Sequence, residues 1–191
     1  LKTISQSGLL PAWNIHRNPL CGRNFEYYSE DPLLAGKMAS ASVQGIQSKG
    51  VACSLKHFAC NNKETNRRES DSRLSERAMR EIYLKAFEIC VKEAQPWTIM
   101  SSYNIINGVR ASENTDLLTG ILRDEWGFEG AVTTDWYTPG EQWKEINAGN
   151  DIKMGRGMDE ETLSALKDGR LSREALEKSA RRVAELILKL R

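Results

Sequence analysis

Four cysteines and only two histidines occur in 191 residues, and no two cysteines form a Cys-x-x-Cys pair. That spacing excludes the usual zinc sites, so neither a metal nor a cofactor is expected. No Asn-x-Ser/Thr acceptor occurs, and the start lacks a signal-peptide pattern. No apolar run approaches the ~20 residues that span a bilayer. A membrane is therefore not an expected partner, and a reducing, cytoplasmic compartment is the expected location. The chain opens on Leu1 rather than Met, so a native start upstream is expected. Charge of one sign is also lacking: 27 Lys and Arg face 26 Asp and Glu, interspersed, for a net charge of +1. No basic stripe is left to bind nucleic acid. Low-complexity linkers and internal repeats are absent too.

What is present is an ordinary globular composition, 40% hydrophobic and 28% charged, at a length that suits one domain over residues 1–191. Short apolar runs alternate with longer amphipathic stretches, the pattern of a parallel α/β sheet or barrel. Strands are expected at 9–15, 51–55, 97–100, 131–134 and 151–154, the first irregular because Pro11 interrupts it. Asp31-Pro32 supplies an N-cap and a first-turn proline for a helix running to Gln47. In 73–94, Leu74, Ala78, Ile82, Ala86 and Cys90 recur every four residues and mark one buried helical face. Further helices are expected at 115–125, 140–148 and 159–166, and a last one after the Ser172 cap. Five strands fall short of a closed (β/α)8 TIM barrel, which typically takes ~250 residues. The expected fold is thus α/β, of TIM-barrel type but incomplete in this chain. Its open edges call for another copy of the chain, an N-terminal segment or a partner domain.

The chemistry concentrates where strands stop. Gly130-Ala131-Val132-Thr133-Thr134 ends abruptly at Asp135-Trp136, a carboxylate beside a large ring. In a barrel, residues just past the carboxyl ends of strands share one mouth. An acid next to a flat ring suits a sugar. Lys56-His57 closes the second strand and offers hydrogen-bond donors to ring hydroxyls, or else merely closes a turn. Arg23 sits in a loop after the first strand; its fork can grip vicinal hydroxyls or pair with Glu26 or Glu30. Met100-Ser101-Ser102-Tyr103-Asn104 follows a third strand, and Tyr103 either orients the central carboxylate or lines the wall. Retaining glycosidases need a second carboxyl ~5–5.5 Å from the first. Glu64, Glu69 and Asp71 are the in-chain possibilities, and solvated loop charges are the plainer reading. Gly155-x-Gly157 is too short for a nucleotide fingerprint.

Taken together and in order, several motifs resemble glycoside hydrolase family 3, the β-glucosidase branch. They are residues 14–27 (Asn-Ile-His-Arg-Asn-Pro-Leu-Cys-Gly-Arg-Asn-Phe-Glu-Tyr), Ser29-Glu30-Asp31-Pro32, Lys56-His57-Phe58, Ser102-Tyr103-Asn104 with Asn107-Gly108, and Asp135-Trp136. The resemblance implies a retaining β-glycosidase acting on nonreducing-end β-glucosides or short oligosaccharides. Asp135 would be the nucleophile, and Arg23, Lys56 and His57 would hold sugar hydroxyls. Met100, Tyr103 and Trp136 would form the pocket wall, and no metal would take part.

The family's first strands and its upstream substrate-binding aspartate have no match here. The β-glucosidase branch carries its acid/base glutamate on a second domain that this chain lacks. The hexosaminidase branch uses a histidine after its Lys-His-Phe motif; Ala59-Cys60-Asn61-Asn62 holds none. The expectation is therefore a catalytic-domain fragment that receives its acid/base from outside. The alternative is a catalytically silent fragment that self-associates or needs a partner domain.

Overall fold

A computed structural model describes residues 12–191 and the backbone of the short strand β1 (Ser7–Gly8). After a 3-10 turn at Asn24–Glu26 come α1 (Pro32–Gln47), β2 (Ala52–Phe58) and β3 (Asp71–Ser72). The next helix starts as α2 (Glu76–Ala78), winds through π-type turns at Met79–Tyr83 and continues as α3 (Lys85–Ala94). Then follow β4 (Thr98–Ser101), β5 (Ile105–Ile106), β6 (Val109–Arg110) and a π-wound helix at Asp116–Glu125. The chain ends with β7 (Ala131–Thr134), α4 (Gln142–Ala148), α5 (Asp159–Lys167) and α6 (Arg173–Lys189).

One parallel sheet organises the molecule, in the order β1-β2-β4-β7. Strands β2, β4 and β7 are buried nearly throughout, and Leu55, Ile99 and Val132 are fully buried. The Phe58 ring meets Phe87 and Trp126 edge-on at 5.2 and 5.9 Å, which joins the sheet to its helical cover. Helix α1 packs on α3. Gly36 sets their spacing, since a Cβ there would lie 2.9 Å from the Ile89 Cβ. Asp31 caps α1 by accepting from the Leu33 N–H at 2.8 Å, with Pro32 at the first helical position.

Most sequence expectations coincide with elements, and the departures have local causes. Residues 9–11 of the first expected strand lie outside the described residues; past them, Ala12 bridges Lys56 in parallel. Residues 151–154 pair with β7 at a single bridge, Ile152 to Thr133, instead of forming a strand. The reason is Asp151, whose carboxylate takes the Val132 N–H at 2.8 Å, where a strand carbonyl would otherwise accept. That carboxylate is buried between Arg123 (2.7 Å) and Arg182 (3.1 Å), and Arg182 thereby ties α6 to the sheet edge. The segment after β2 ends in β3, which pairs with β5 in a small second sheet. Asn107-Gly108 makes the β5–β6 hairpin turn, with positive φ at both residues (50° and 92°). Two peptide bonds at the end of β2, Lys56–His57 and Phe58–Ala59, are cis. The five strand positions form an open arc among the described residues, and no helix there is long and apolar enough to cross a membrane.

Two glycines of α1 make a paired test of the helix packing. Gly36→Ala forces apart α1 and α3 and is expected to cost about 1–3 kcal/mol. Gly45→Ala meets nothing within 4 Å and is expected to stabilise the helix by about 0.5–1 kcal/mol. Urea denaturation midpoints check both signs.

Candidate active site

Parallel register brings the strand ends together. Lys56 lies opposite Met100, and Met100 opposite Thr133, so the segments leaving β2, β4 and β7 emerge on one side of the sheet. All seven site residues named from the sequence line one open cavity of about 280 Å³: Arg23, Lys56, His57, Met100, Tyr103, Asp135 and Trp136. An eighth, Arg67, was not singled out from the sequence. It sits in a polar loop rich in charge, where nothing local distinguishes it from solvated neighbours. Its guanidinium stacks 4.7 Å from the Tyr103 ring centre and donates to the Glu64 carboxylate at 2.9 Å.

Asp135 follows β7 directly and is buried. Its Oδ1 accepts from the Trp136 N–H at 2.7 Å, while Oδ2 has no hydrogen-bond partner among the described residues. The His57 Nε2 lies 3.6 Å from that oxygen. Burial pushes the Asp135 carboxyl above its ordinary value of 3.8, opposed by the Trp136 N–H, the Tyr103 hydroxyl and the Arg67 and Arg23 cations. His57 goes the other way: burial, then Arg23, Lys56 and Arg67, hold its imidazole well below 6.5. It is therefore neutral at physiological pH. Arg23 Nη1 stands 2.9 Å from His57 Nε2, and a guanidinium can only donate, so the proton belongs on Nδ1. Asn14 fixes the backbone of His57 from both sides, accepting from its N–H at 3.0 Å and donating to its carbonyl at 3.1 Å.

Arg23 lines the cavity and also pairs with Glu26. Glu26 reaches Lys56 as well, at 3.4 Å, so one carboxylate spaces two cations. The Tyr103 hydroxyl donates at 2.5 Å to the Trp136 carbonyl, holding the turn that carries Asp135, and its presence beside the carboxylate also favours the charged form of Asp135. Glu64, Glu69 and Asp71 do not line the cavity. Glu64 is engaged by Arg67 and Asn61, Asp71 by Arg73 at 2.6 Å, and Glu69 is largely exposed. Among the described residues, Asp135 is the only carboxylate in the cavity wall. Trp136 stands half-exposed at the rim. Fixed cations, a neutral imidazole, an aromatic face and one unpartnered carboxylate oxygen together suit a polyhydroxylated ligand with an electrophilic carbon.

Residues 6–186 match the family model described as the glycosyl hydrolase family 3 N terminal domain. The chain belongs to glycosyl hydrolase family 3. Beta-glucosidase A of Butyrivibrio fibrisolvens is 65% identical over 170 residues, 89% of this chain and 20% of that protein. An exo-α-(1→6)-L-arabinopyranosidase of Bifidobacterium breve is 52% identical over 182 residues, covering 95% of this chain and 24% of its own length. Among solved structures, beta-glucosidase 3B of Thermotoga neapolitana, in complex with glucose, superposes with a TM-score of 0.94 at 50% identity. The match covers 96% of this chain and 27% of that one. The family 3 chain described here thus spans about a fifth to a quarter of the length of these relatives.

The raised Asp135 carboxyl makes a stability prediction. A buried acid that holds its proton more tightly when folded costs stability above its folded pKa and nothing below its unfolded value of 3.8. Asp135→Asn is accordingly expected to raise the thermal midpoint at neutral pH. The gain should shrink as the pH is lowered towards 3.8, which paired thermal melts across that range would check.

Proposed function

We propose that this chain carries the sugar-binding and nucleophile side of a retaining β-glycosidase acting on nonreducing-end β-glucosides. The observation that carries the reading is the Asp135 Oδ2, unpartnered and facing the cluster of Arg23, His57 and Arg67 at the end of β7. In this reading Oδ2 attacks the anomeric carbon, the bond to the aglycone oxygen breaks, and that oxygen leaves with the electron pair. A general acid supplied from outside the chain protonates it; water then releases the sugar from the ester. Arg23, Lys56, His57 and Arg67 hold the ring hydroxyls, while Met100, Tyr103 and Trp136 form the wall. The relatives' names support a pyranoside substrate, one a β-glucosidase and another an arabinopyranosidase. Neutral His57 is a hydrogen-bond partner here and not the acid, since burial withholds its second proton.

A second reading is favoured by Asp135 being the only carboxylate in the cavity wall among the described residues. It describes a fragment that binds sugar and stays silent on ordinary glucosides until it self-associates or meets a partner domain. A missing general acid removes a factor of about 10²–10⁴ in rate.

A 2-deoxy-2-fluoro-β-glucoside with an activated leaving group needs no general acid and separates binding-site assembly from turnover. Intact-mass analysis is expected to show one fluoroglucosyl unit added, localised to Asp135 by peptide mapping, and none on Asp135→Asn. Labelling of that variant at the native rate would refute the nucleophile assignment. Because only the carboxylate form attacks, the labelling rate should fall as the pH drops through the raised Asp135 pKa.

A further inference from the structure

Below the Asp135 turn lies a buried lysine that the proposed chemistry does not use. The Lys153 ammonium, 5% exposed, donates to the Thr138 carbonyl at 3.2 Å, the Gly140 carbonyl at 2.7 Å and Glu145 Oε2 at 2.9 Å. An ammonium has three N–H donors, and all three are used. Glu145 is just as buried, and its Oε1 accepts from Ser112 Oγ at 3.1 Å. Gly140 permits this arrangement, because a Cβ there would lie 2.5 Å from Glu145 Oε1.

The contacts continue to the carboxylate. Thr138, whose carbonyl Lys153 holds, donates its hydroxyl to the Asp135 carbonyl at 2.9 Å and its N–H to the same oxygen at 3.4 Å. Between them, the Trp136 carbonyl takes the Tyr103 hydroxyl and the Tyr137 N–H bonds the Met154 carbonyl at 3.1 Å. A buried ion pair is a poor way to gain stability, since desolvation offsets most of the attraction. Two backbone carbonyls gripped by one cation instead fix a loop conformation. We propose that Lys153 is a positioning residue for Asp135, clamping the Asp135–Gly140 turn from beneath so that Oδ2 is held at the cavity wall. This inference rests on the nucleophile reading above, and Glu145 serves in it as the counter-charge that lets the lysine stay buried.

Three variants of the full chain separate clamp from simple ion pair. Glu145→Gln keeps the lysine donors on both carbonyls. The double variant Lys153→Met, Glu145→Gln removes the clamp without leaving an unpaired buried charge. Arg182→Met weakens a different buried pair, on α6. Each is followed by thermal midpoint, by kinact and KI for the activated fluoroglucoside, and by amide exchange at Trp136, Tyr137 and Thr138. For the double variant, kinact is expected to fall about 10- to 100-fold while KI stays within about threefold. Its three amides should exchange faster than in the native chain. Glu145→Gln and Arg182→Met should label at the native rate even if less stable. Native kinact in the double variant, or an equal loss in Arg182→Met, would overturn the clamp. If the native chain takes no label, the nucleophile reading fails on its own, and unchanged exchange at the three amides would then overturn the clamp separately.

Discussion

Lys56, Met100 and Thr133 sit side by side because β2, β4 and β7 run parallel, in continuous register as far as Lys56 with a shift at His57, and the rest of the cavity depends on that ladder. Parallel pairing sends every strand end to the same side of the sheet, so residues scattered over more than a hundred positions of sequence meet without long-range steering. A slip of one residue would turn His57 and the approach to Asp135 to the other face of the sheet. The aromatic contacts of Phe58 with Phe87 and Trp126, and the close approach of α1 to α3 at Gly36, hold the ladder in place from behind.

On that frame the site is an electrostatic arrangement with one deliberate imbalance. Glu26 spaces Arg23 and Lys56, Glu64 engages Arg67, and the buried His57 is kept neutral. Asp135, the only carboxylate in the cavity wall among the described residues, keeps one oxygen without a hydrogen-bond partner, and burial raises the cost of its charge. A carboxylate held in this way is less stabilised than one in water, which favours a nucleophile over a structural anchor. The surrounding cations limit the cost so that the charged form remains accessible.

Much of this was legible in the chain itself. The strand at 131–134 was expected at the bounds it has, because a short β-branched run with a carboxylate at its end admits little else. Asp31-Pro32 announced α1 through capping chemistry that depends on neighbours in sequence alone. The seven site residues came from strand ends and motif order, and all seven line the cavity. What stayed hidden is what depends on tertiary contact. Arg67 looks like any loop cation until Tyr103 stacks against it. Residues 151–154 read as a strand, yet the Asp151 side chain replaces a strand carbonyl, and only the nearby Arg123 and Arg182 make its burial possible. Lys153 carries no sequence signal, since the carbonyls it grips belong to a turn thirteen and fifteen residues before it.

If the described residues assemble the proposed sugar-binding cavity around Asp135, titrating the isotope-labelled chain with glucose and following amide and indole NMR shifts will show saturable shifts at His57, Tyr103, Asp135 and the Trp136 indole. The far ends of α5 and α6 should not move. A folded chain whose spectrum does not change with glucose, or changes only away from these residues, would contradict the proposed cavity.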